Sequence, residues 1–364
     1  MTIFVIYIKY AYFCHIMNDL STVLKELRSA SKRSTKEVSA NLKIDSSLLS
    51  RFETGDRIPT KIQLQKLAKY YKVPVENLMV TWLSEKIYKE IVHEDFALQA
   101  LQVAESRIGY KKLNYDNSDL IKQIDELKIK LDAKRPIPKA QLKNLYEYYR
   151  VEYTYESNRI EGNTLTLSET ALVVEKGITI SGKSVREHLE AINHAEAIDV
   201  LTEFVENKMP LTEYLVKQLH AIILRGIDKE NAGRYRSLNV KITGSKHLPP
   251  EPYILNKLME DYIIFYEESK NRLHPVILAA EMHERLVTIH PFIDGNGRTS
   301  RLIMNLVLLQ NGFLLANISG EKENRMKYYN SLENAQVNHS KKQFYEFVAK
   351  AVLTSLEEYL KIIN

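Results

Sequence analysis

The strongest constraint on this chain is a single turn, Gly295-Asn296-Gly297, set between two helix-forming segments. Ala279–Ile289 precedes it, and an apolar run from Leu302 follows and stops at Gly312. Glycines let backbone N–H groups converge, so the turn is expected at a helix N-terminus, where the helix dipole adds partial positive charge. Arg298 and Arg301 then lie one turn apart on the same face, aimed at whatever anion the turn holds. His290 and Asp294 add a titratable imidazole and a lone carboxylate. Together these residues describe a polyphosphate site with a candidate base and a candidate metal ligand. A neutral His is a usable base near pH 7, and phosphoryl-type transfer mainly needs positioning and charge neutralisation. The alternative is a Gly-rich helix cap beside a satisfied core His.

The full run, His290-Pro-Phe-Ile-Asp-Gly-Asn-Gly-Arg-Thr-Ser-Arg301, resembles the signature of Fic-domain enzymes, His-x-Phe-x-Asp/Glu-Gly-Asn-Gly-Arg-x-x-Arg, with every specified position filled. The resemblance implies a protein adenylyltransferase that moves AMP from ATP onto a protein hydroxyl. It assigns His290 as the base that deprotonates the target hydroxyl and Asp294 as the Mg²⁺ ligand. Gly295, Asn296, Gly297, Thr299 and Ser300 would contribute to nucleotide binding, Arg298 would assist at the phosphates, and Arg301 would reach the γ-phosphate. Upstream, Ser157-Asn-Arg-Ile-Glu-Gly-Asn163 resembles the inhibitory motif of class II Fic proteins. There Glu161 would pair with Arg301 and exclude a productive γ-phosphate, a swap of one anion for another on a guanidinium. The same Glu is implied to support weak removal of AMP. Read alone, the segment is also an ordinary helix end, with Gly162 as cap.

Further segments agree. Asn239–Pro250 has β-formers around Thr243, Gly244 and Ser245 and stops at Pro-Pro, so a short hairpin is expected. It resembles the Fic flap that covers nucleotide and pairs with an extended target segment. Tyr328 and Tyr329, on a helical stretch, resemble an adenine-pocket pair, with plain helix packing as the equal alternative. Gly182–Asn193 resembles the N-terminal portion found in many Fic proteins.

The N-terminal third reads as five short helices between Leu24 and Leu78. It resembles a phage-repressor (Xre-type) helix-turn-helix, including Ser50-Arg-Phe-Glu-x-Gly-x-Arg57-x-Pro59. Lys43 departs from that pattern, standing where the turn often has Gly, although Lys can adopt the left-handed conformation at modest cost. From Ser21 to Asn77 there are twelve Lys/Arg against six Asp/Glu, a charge bias suited to nucleic acid. Such folds place the third helix in the major groove, so Ser46, Ser47 and Arg51 would face bases, and Leu48, Leu49 and Phe52 the core. A module kept for protein contact alone is the alternative.

The expected architecture is therefore mostly α: a five-helix DNA-binding domain followed by an all-helical Fic fold with a short β-hairpin flap. The expected boundaries are 1–16 for an apolar leader, 17–80 for the helix-turn-helix, 81–138 for a charged helical linker, and 139–364 for the Fic domain with its inhibitory helix. Met17 is the expected true start, with a strand or membrane-surface segment as the fallback for the leader. Leu120, Ile124, Leu127 and Leu131 form a stripe suited to a short coiled coil or to intramolecular packing. One cysteine, Cys14, excludes an intramolecular disulfide framework and suits a reducing cytosol, and no run is apolar enough to span a bilayer. Cytoplasmic localisation, no membrane partner, a homodimer on a double-stranded operator, and a protein target carrying a Ser, Thr or Tyr hydroxyl (or the chain itself) complete the expectation. Two other readings stay open: a regulator whose Fic domain senses nucleotide without transfer, and a transferase with another donor such as UTP or CDP-choline.

Overall fold

The computed structural model describes residues 19–98, 100, 101, 104 and 118–363, divided between two compact units, Met1–Tyr110 and Lys111–Asn364. The leader of residues 1–16 lies outside the described residues.

The first unit contains α1 (Leu20–Ala30), α2 (Thr35–Leu42), α3 (Ser46–Thr54), α4 (Lys61–Tyr71) and α5 (Val75–Ile91). Local chemistry starts four of them. Asp19 and Asp45 accept N–H bonds of the first turns of α1 and α3, and Ser34/Glu37 and Thr60/Gln63 close capping boxes on α2 and α4. Leu20, Leu24, Val38, Leu49, Phe52, Leu64 and Leu67 form its buried core. Arg28 ties α1 to α3 through a bidentate pair with Glu53, at 2.7 and 2.8 Å. Lys43 caps α2 in the left-handed region, at φ 53°. The expected boundary at residue 80 falls inside α5, because Trp82 donates to the Pro59 carbonyl at 2.6 Å and the helix continues to Ile91.

The second unit contains α6 (Ser118–Ala133), α7 (Lys139–Ile160), α8 (Leu167–Lys176), α9 (Val185–Glu206), α10 (Glu213–Ile223), α11 (Leu255–Ser269), α12 (Pro275–Ile289), α13 (Asn296–Gln310), α14 (Lys322–Asn338) and α15 (Lys342–Ile363). α12 and α13 form its centre. From Leu302 to Leu308, α13 is apolar at every position but Asn305, so it can be stable only when surrounded, and every residue of that run is buried. α7, α9, α10 and α12 pack against it. α6 packs on α15, with Ile124 and Leu131 fully buried in the main core and Leu120 and Leu127 packed beside them. The stripe on α6 is therefore intramolecular packing, and residues 118–133 belong to this compact unit rather than to a free linker.

The expected β-hairpin is not formed, and the described residues contain no β-strand. Residues 239–250 instead run extended through a turn at Thr243-Gly244, closed by Ser245 N–H to the Ile242 carbonyl at 3.2 Å. Pro249 and Pro250 carry no N–H for a ladder. The segment is held from outside: His247 Nε2 donates to the Thr288 carbonyl (2.8 Å), Lys246 N–H to Glu333 (3.3 Å), and Arg236 to the Pro250 carbonyl (2.5 Å).

Candidate active site

The loop of residues 290–295 joins α12 to α13, and its shape is held by more bonds than a loop of this length requires. His290 ends α12 in the left-handed region (φ 50°), its N–H bonded to the Leu286 carbonyl at 2.9 Å. That conformation is costly for a side chain with a Cβ and persists only where the surroundings enforce it. Buried Arg236 does so, donating from Nε to the His290 carbonyl and from its backbone N–H to the Pro291 carbonyl, both at 2.9 Å. Asn296 clamps the loop from the other side, its amide bonded to the Phe292 N–H (3.0 Å) and carbonyl (2.9 Å). Phe292 lies flat on His220, with ring centroids 3.6 Å apart. His220 accepts from Gly233 N–H at Nδ1, so its Nε2 carries the proton and donates to the Asp294 carbonyl at 2.8 Å.

Burial pushes the His290 imidazole down to about 4, with Arg236 and His247 acting in the same direction and the Val287 carbonyl and Glu161 opposing. The ring is therefore neutral near pH 7. Asp294 is partly exposed. Burial works against its charge, but Arg298, the Gly295 N–H and Arg186 outweigh that and hold the carboxyl below its usual range.

Gly295 supplies the left-handed N-cap of α13 (φ 77°). Its own N–H bonds Asp294 Oδ1 at 2.6 Å, and Thr299 N–H already bonds the Gly295 carbonyl at 3.0 Å. The first-turn N–H groups of Asn296, Gly297 and Arg298 have no place in the helix ladder and are available to an anion. An added β-carbon at Gly297 would collide with Glu161 Oε1, so a carboxylate already stands over this turn. That carboxylate accepts from Arg301 Nη2 at 2.7 Å. Arg301, 1 % exposed, also donates to the Ser157 hydroxyl (3.0 Å) and carbonyl (2.9 Å) and approaches the Tyr328 hydroxyl (3.5 Å). Burial works against the Arg301 charge, and Glu161, then Tyr328, more than restore it, so its pKa is raised.

The remaining expected residues are less well placed for a nucleotide. The Asn296 side chain serves the loop itself. Thr299 and Ser300 are wholly buried, with the Ser300 hydroxyl bonded to the Asn296 carbonyl at 2.8 Å. These three side chains are thus engaged within the fold, and the groups that face outward are the first-turn amides, including that of Asn296, with Arg301 and Arg298 beside them. Arg298 is buried, and its Nε and Nη1 are without a hydrogen bond among the described residues. Tyr328 is buried against Arg301, and its hydroxyl also bonds His283 Nε2 at 2.9 Å. Tyr329 keeps a partly exposed ring, its hydroxyl on the Ile160 carbonyl at 3.1 Å. Thr243 and Gly244 are exposed at the turn of the extended segment, and Ser245 is half-buried beside them.

Four residues the sequence did not single out complete the site: Arg186, Glu190, His220 and Arg236. Arg186 and Glu190 lie four apart on the first turns of α9, inside the 182–193 segment, and that spacing was the available signal. No signal marked His220 or Arg236, whose bonds to the loop reach partners 74 and 54 positions away in the chain.

The chemistry of the donor set suits one hard cation held jointly with phosphate. Asp294 is an ionised carboxylate beside the first-turn amides, and no group of three or more His, Cys, Asp or Glu among the described residues could hold a metal unaided. Mg²⁺ commonly takes one or two carboxylates plus substrate phosphates.

Residues 210–308 match the Fic/DOC family model, a span that includes Arg236, the whole loop and most of α13. The C-terminal unit carries a Fic/DOC domain. Residues 19–79 match a helix-turn-helix domain model. Similar curated proteins include the protein adenylyltransferase Fic of Drosophila melanogaster, 32% identical over 278 residues, 74% of this chain and 56% of the relative. Its namesake in Nematostella vectensis is 36% identical over 252 residues, 66% of this chain and 57% of the relative. The chain thus spans about half the length of these relatives. Among solved structures, a Fic-domain-containing signalling protein from Bacteroides thetaiotaomicron is similar at 29% identity and TM-score 0.62, covering 66% of this chain and 96% of that one. Caenorhabditis elegans Fic-1 shares the fold at 24% identity and TM-score 0.59, covering 93% of this chain and 98% of that one.

In the helix-turn-helix unit, Ser46, Ser47 and Arg51 are exposed on α3 while Leu49 and Phe52 are buried and Leu48 is half-buried. The Ser47 hydroxyl bonds the capping Asp45 carboxylate at 2.5 Å, which leaves the Arg51 guanidinium as the strongest free donor of the three. No helix of the described residues is long and apolar enough to cross a membrane.

Proposed function

We propose that the Fic domain transfers AMP from ATP to a Ser, Thr or Tyr hydroxyl of a protein, this chain included, and that Glu161 restrains the reaction. The observation that carries this reading is a neutral His290 imidazole beside the unladdered first-turn amides of α13, supported by relatives named protein adenylyltransferase. His290 takes the proton of the target hydroxyl, the oxygen bonds the α-phosphorus, and pyrophosphate leaves. The first-turn amides and Arg298 hold the phosphates, and Arg301 holds the γ-phosphate once Glu161 has withdrawn. Mg²⁺, held by Asp294 and the phosphates, would neutralise charge when bound. In reverse, Glu161 supports slow removal of AMP.

The helix-turn-helix is proposed to bind a double-stranded operator as a homodimer, reading bases through Arg51, in the cytoplasm. Incubating wild type and Glu161→Gly with ATP labelled on the α-phosphate, Mg²⁺ and cell extract tests the enzymatic part. Labelled protein with Glu161→Gly supports it, and none from either protein, with labelled UTP equally inert, overturns it.

A further inference from the structure

The carboxylate proposed to hold the metal already has a cation on it. Arg186 Nη2 donates to Asp294 Oδ2 at 2.7 Å, and Arg186 Nε to Glu190 Oε1 at 3.1 Å. Arg298 closes the figure, its Nη1 3.4 Å from Glu190 Oε1 and its Nη2 3.5 Å from Asp294 Oδ1. Two arginines and two carboxylates thus alternate in a ring. Asp294 Oδ1 also accepts Gly295 N–H, so both oxygens of the expected metal ligand are engaged.

The ring has one loose member. Asp294 is fixed by the loop, Arg298 is 2 % exposed, and Glu190 is held through Oε2 by Asn163 Nδ2 at 3.0 Å, whereas the Arg186 side chain is 57 % exposed. It can swing into solvent without opening the core. A divalent cation on Asp294 Oδ2 would compete for the same oxygen and repel the guanidinium a few ångströms away.

We propose that Arg186 is a resident cationic plug on Asp294, which a divalent cation must displace before it can bind. The site is then closed on two sides by opposite charges: Glu161 stands where the γ-phosphate goes, and Arg186 stands where the metal goes. Glu190 joins the two, because its carboxylate contacts both Arg186 and Asn163, two residues beyond Glu161. This inference rests on the assignment of Asp294 as metal ligand in the proposed reaction.

The test is Mn²⁺ affinity, read as free Mn²⁺ by electron paramagnetic resonance in the full-length protein saturated with ADP. Removing a plug that holds the site shut most of the time raises apparent affinity by the inverse of the open fraction. A pair of this exposure makes that roughly two- to fivefold for Arg186→Ala. Arg186→Gln, which keeps the stem, should give a similar gain, Arg186→Lys should stay close to wild type, and Asp294→Asn should abolish the gain in either variant. Unchanged or weaker Mn²⁺ binding in both Arg186→Ala and Arg186→Gln overturns the plug, as does Mn²⁺ binding to none of the proteins. The transfer reading fails separately: Glu161→Gly that labels nothing overturns AMP transfer whatever the Mn²⁺ result, and labelling with unchanged Mn²⁺ affinity overturns the plug alone.

Discussion

Glu161 and Arg301 lie 140 positions apart in the chain and 2.7 Å apart in the fold. The contact joins the end of α7 to the second turn of α13. It sets a carboxylate on the guanidinium proposed to hold the γ-phosphate, and a carboxylate and a phosphate compete for the same forked donors.

Glu161→Gly should therefore raise AMP transfer by on the order of tenfold or more, since the competing anion is removed from a buried arginine. Glu161→Gln, neutral but of the same size, should give a smaller rise. Label incorporation per minute at saturating ATP is the measurement, and equal rates for wild type and Glu161→Gly would remove the inhibitory role.

His290→Ala in the Glu161→Gly background should lower transfer by about 10²–10⁴-fold, the usual contribution of a positioned base. ATP affinity should stay within a few-fold, because the imidazole acts only on the attacking hydroxyl. Transfer at the undiminished rate would show that another group takes the proton.

The buried imidazoles make a stability prediction with a definite sign. His290 and His220 are both pushed down to about 4 by burial, and His194 and His283 are also lowered, again chiefly by burial. An unfolded histidine titrates near 6.5. Between those values the unfolded chain binds more protons, so stability is complete above about pH 6.5 and falls as pH drops towards 4. Urea midpoints for the C-terminal transition should decline from pH 7.5 to 5.5 to 4.5, and a flat series would contradict the burial of these rings.

Lys43→Gly should stabilise the helix-turn-helix unit. A left-handed residue with a Cβ costs about 1–2 kcal/mol, and glycine loses about 0.5–1 kcal/mol in chain entropy. The difference favours glycine by about 0.5–1 kcal/mol, visible as a higher midpoint for the N-terminal transition in the full-length chain. A lower midpoint would mean that the Lys43 side chain makes a compensating contact.

Arg51→Ala should relax base preference at one operator position, costing about 1–3 kcal/mol against the preferred base. Ser46→Ala should cost less, and Ser47→Ala should act mainly through the cap it shares with Asp45. Wild-type affinity should fall steeply with salt. Selection from genomic fragments is the measurement, and no enriched sequence together with unchanged Arg51→Ala binding would favour a protein-contact role.

Most helices could be read in advance because their starts are written locally: Ser34 with Glu37, Thr60 with Gln63 and Ser184 with Glu187 are each three apart. The central loop was legible for the same reason, since its residues are contiguous. The extended segment at 239–250 misled because β-formers were present while the ladder partner was not, and partnering is non-local. The ring around Asp294 was illegible because Arg186 is 108 positions away from it. A motif gives identity without direction, and only the fold shows that the Asn296 side-chain amide turns towards Phe292.

The contact made at Gly297 limits how this chain can drift. Any side chain there would expel Glu161, yet it would fill the same space that a phosphate needs. Replacing Arg301 would likewise end both the restraint and the grip on nucleotide. A lineage cannot shed the brake from the α13 side and keep the proposed enzyme. Constitutive variants should therefore arise only on the α7 side, where one change at Glu161 frees the site for transfer and leaves the transfer groups in place, and a screen for toxic overactivity should recover substitutions clustered between Ser157 and Asn163.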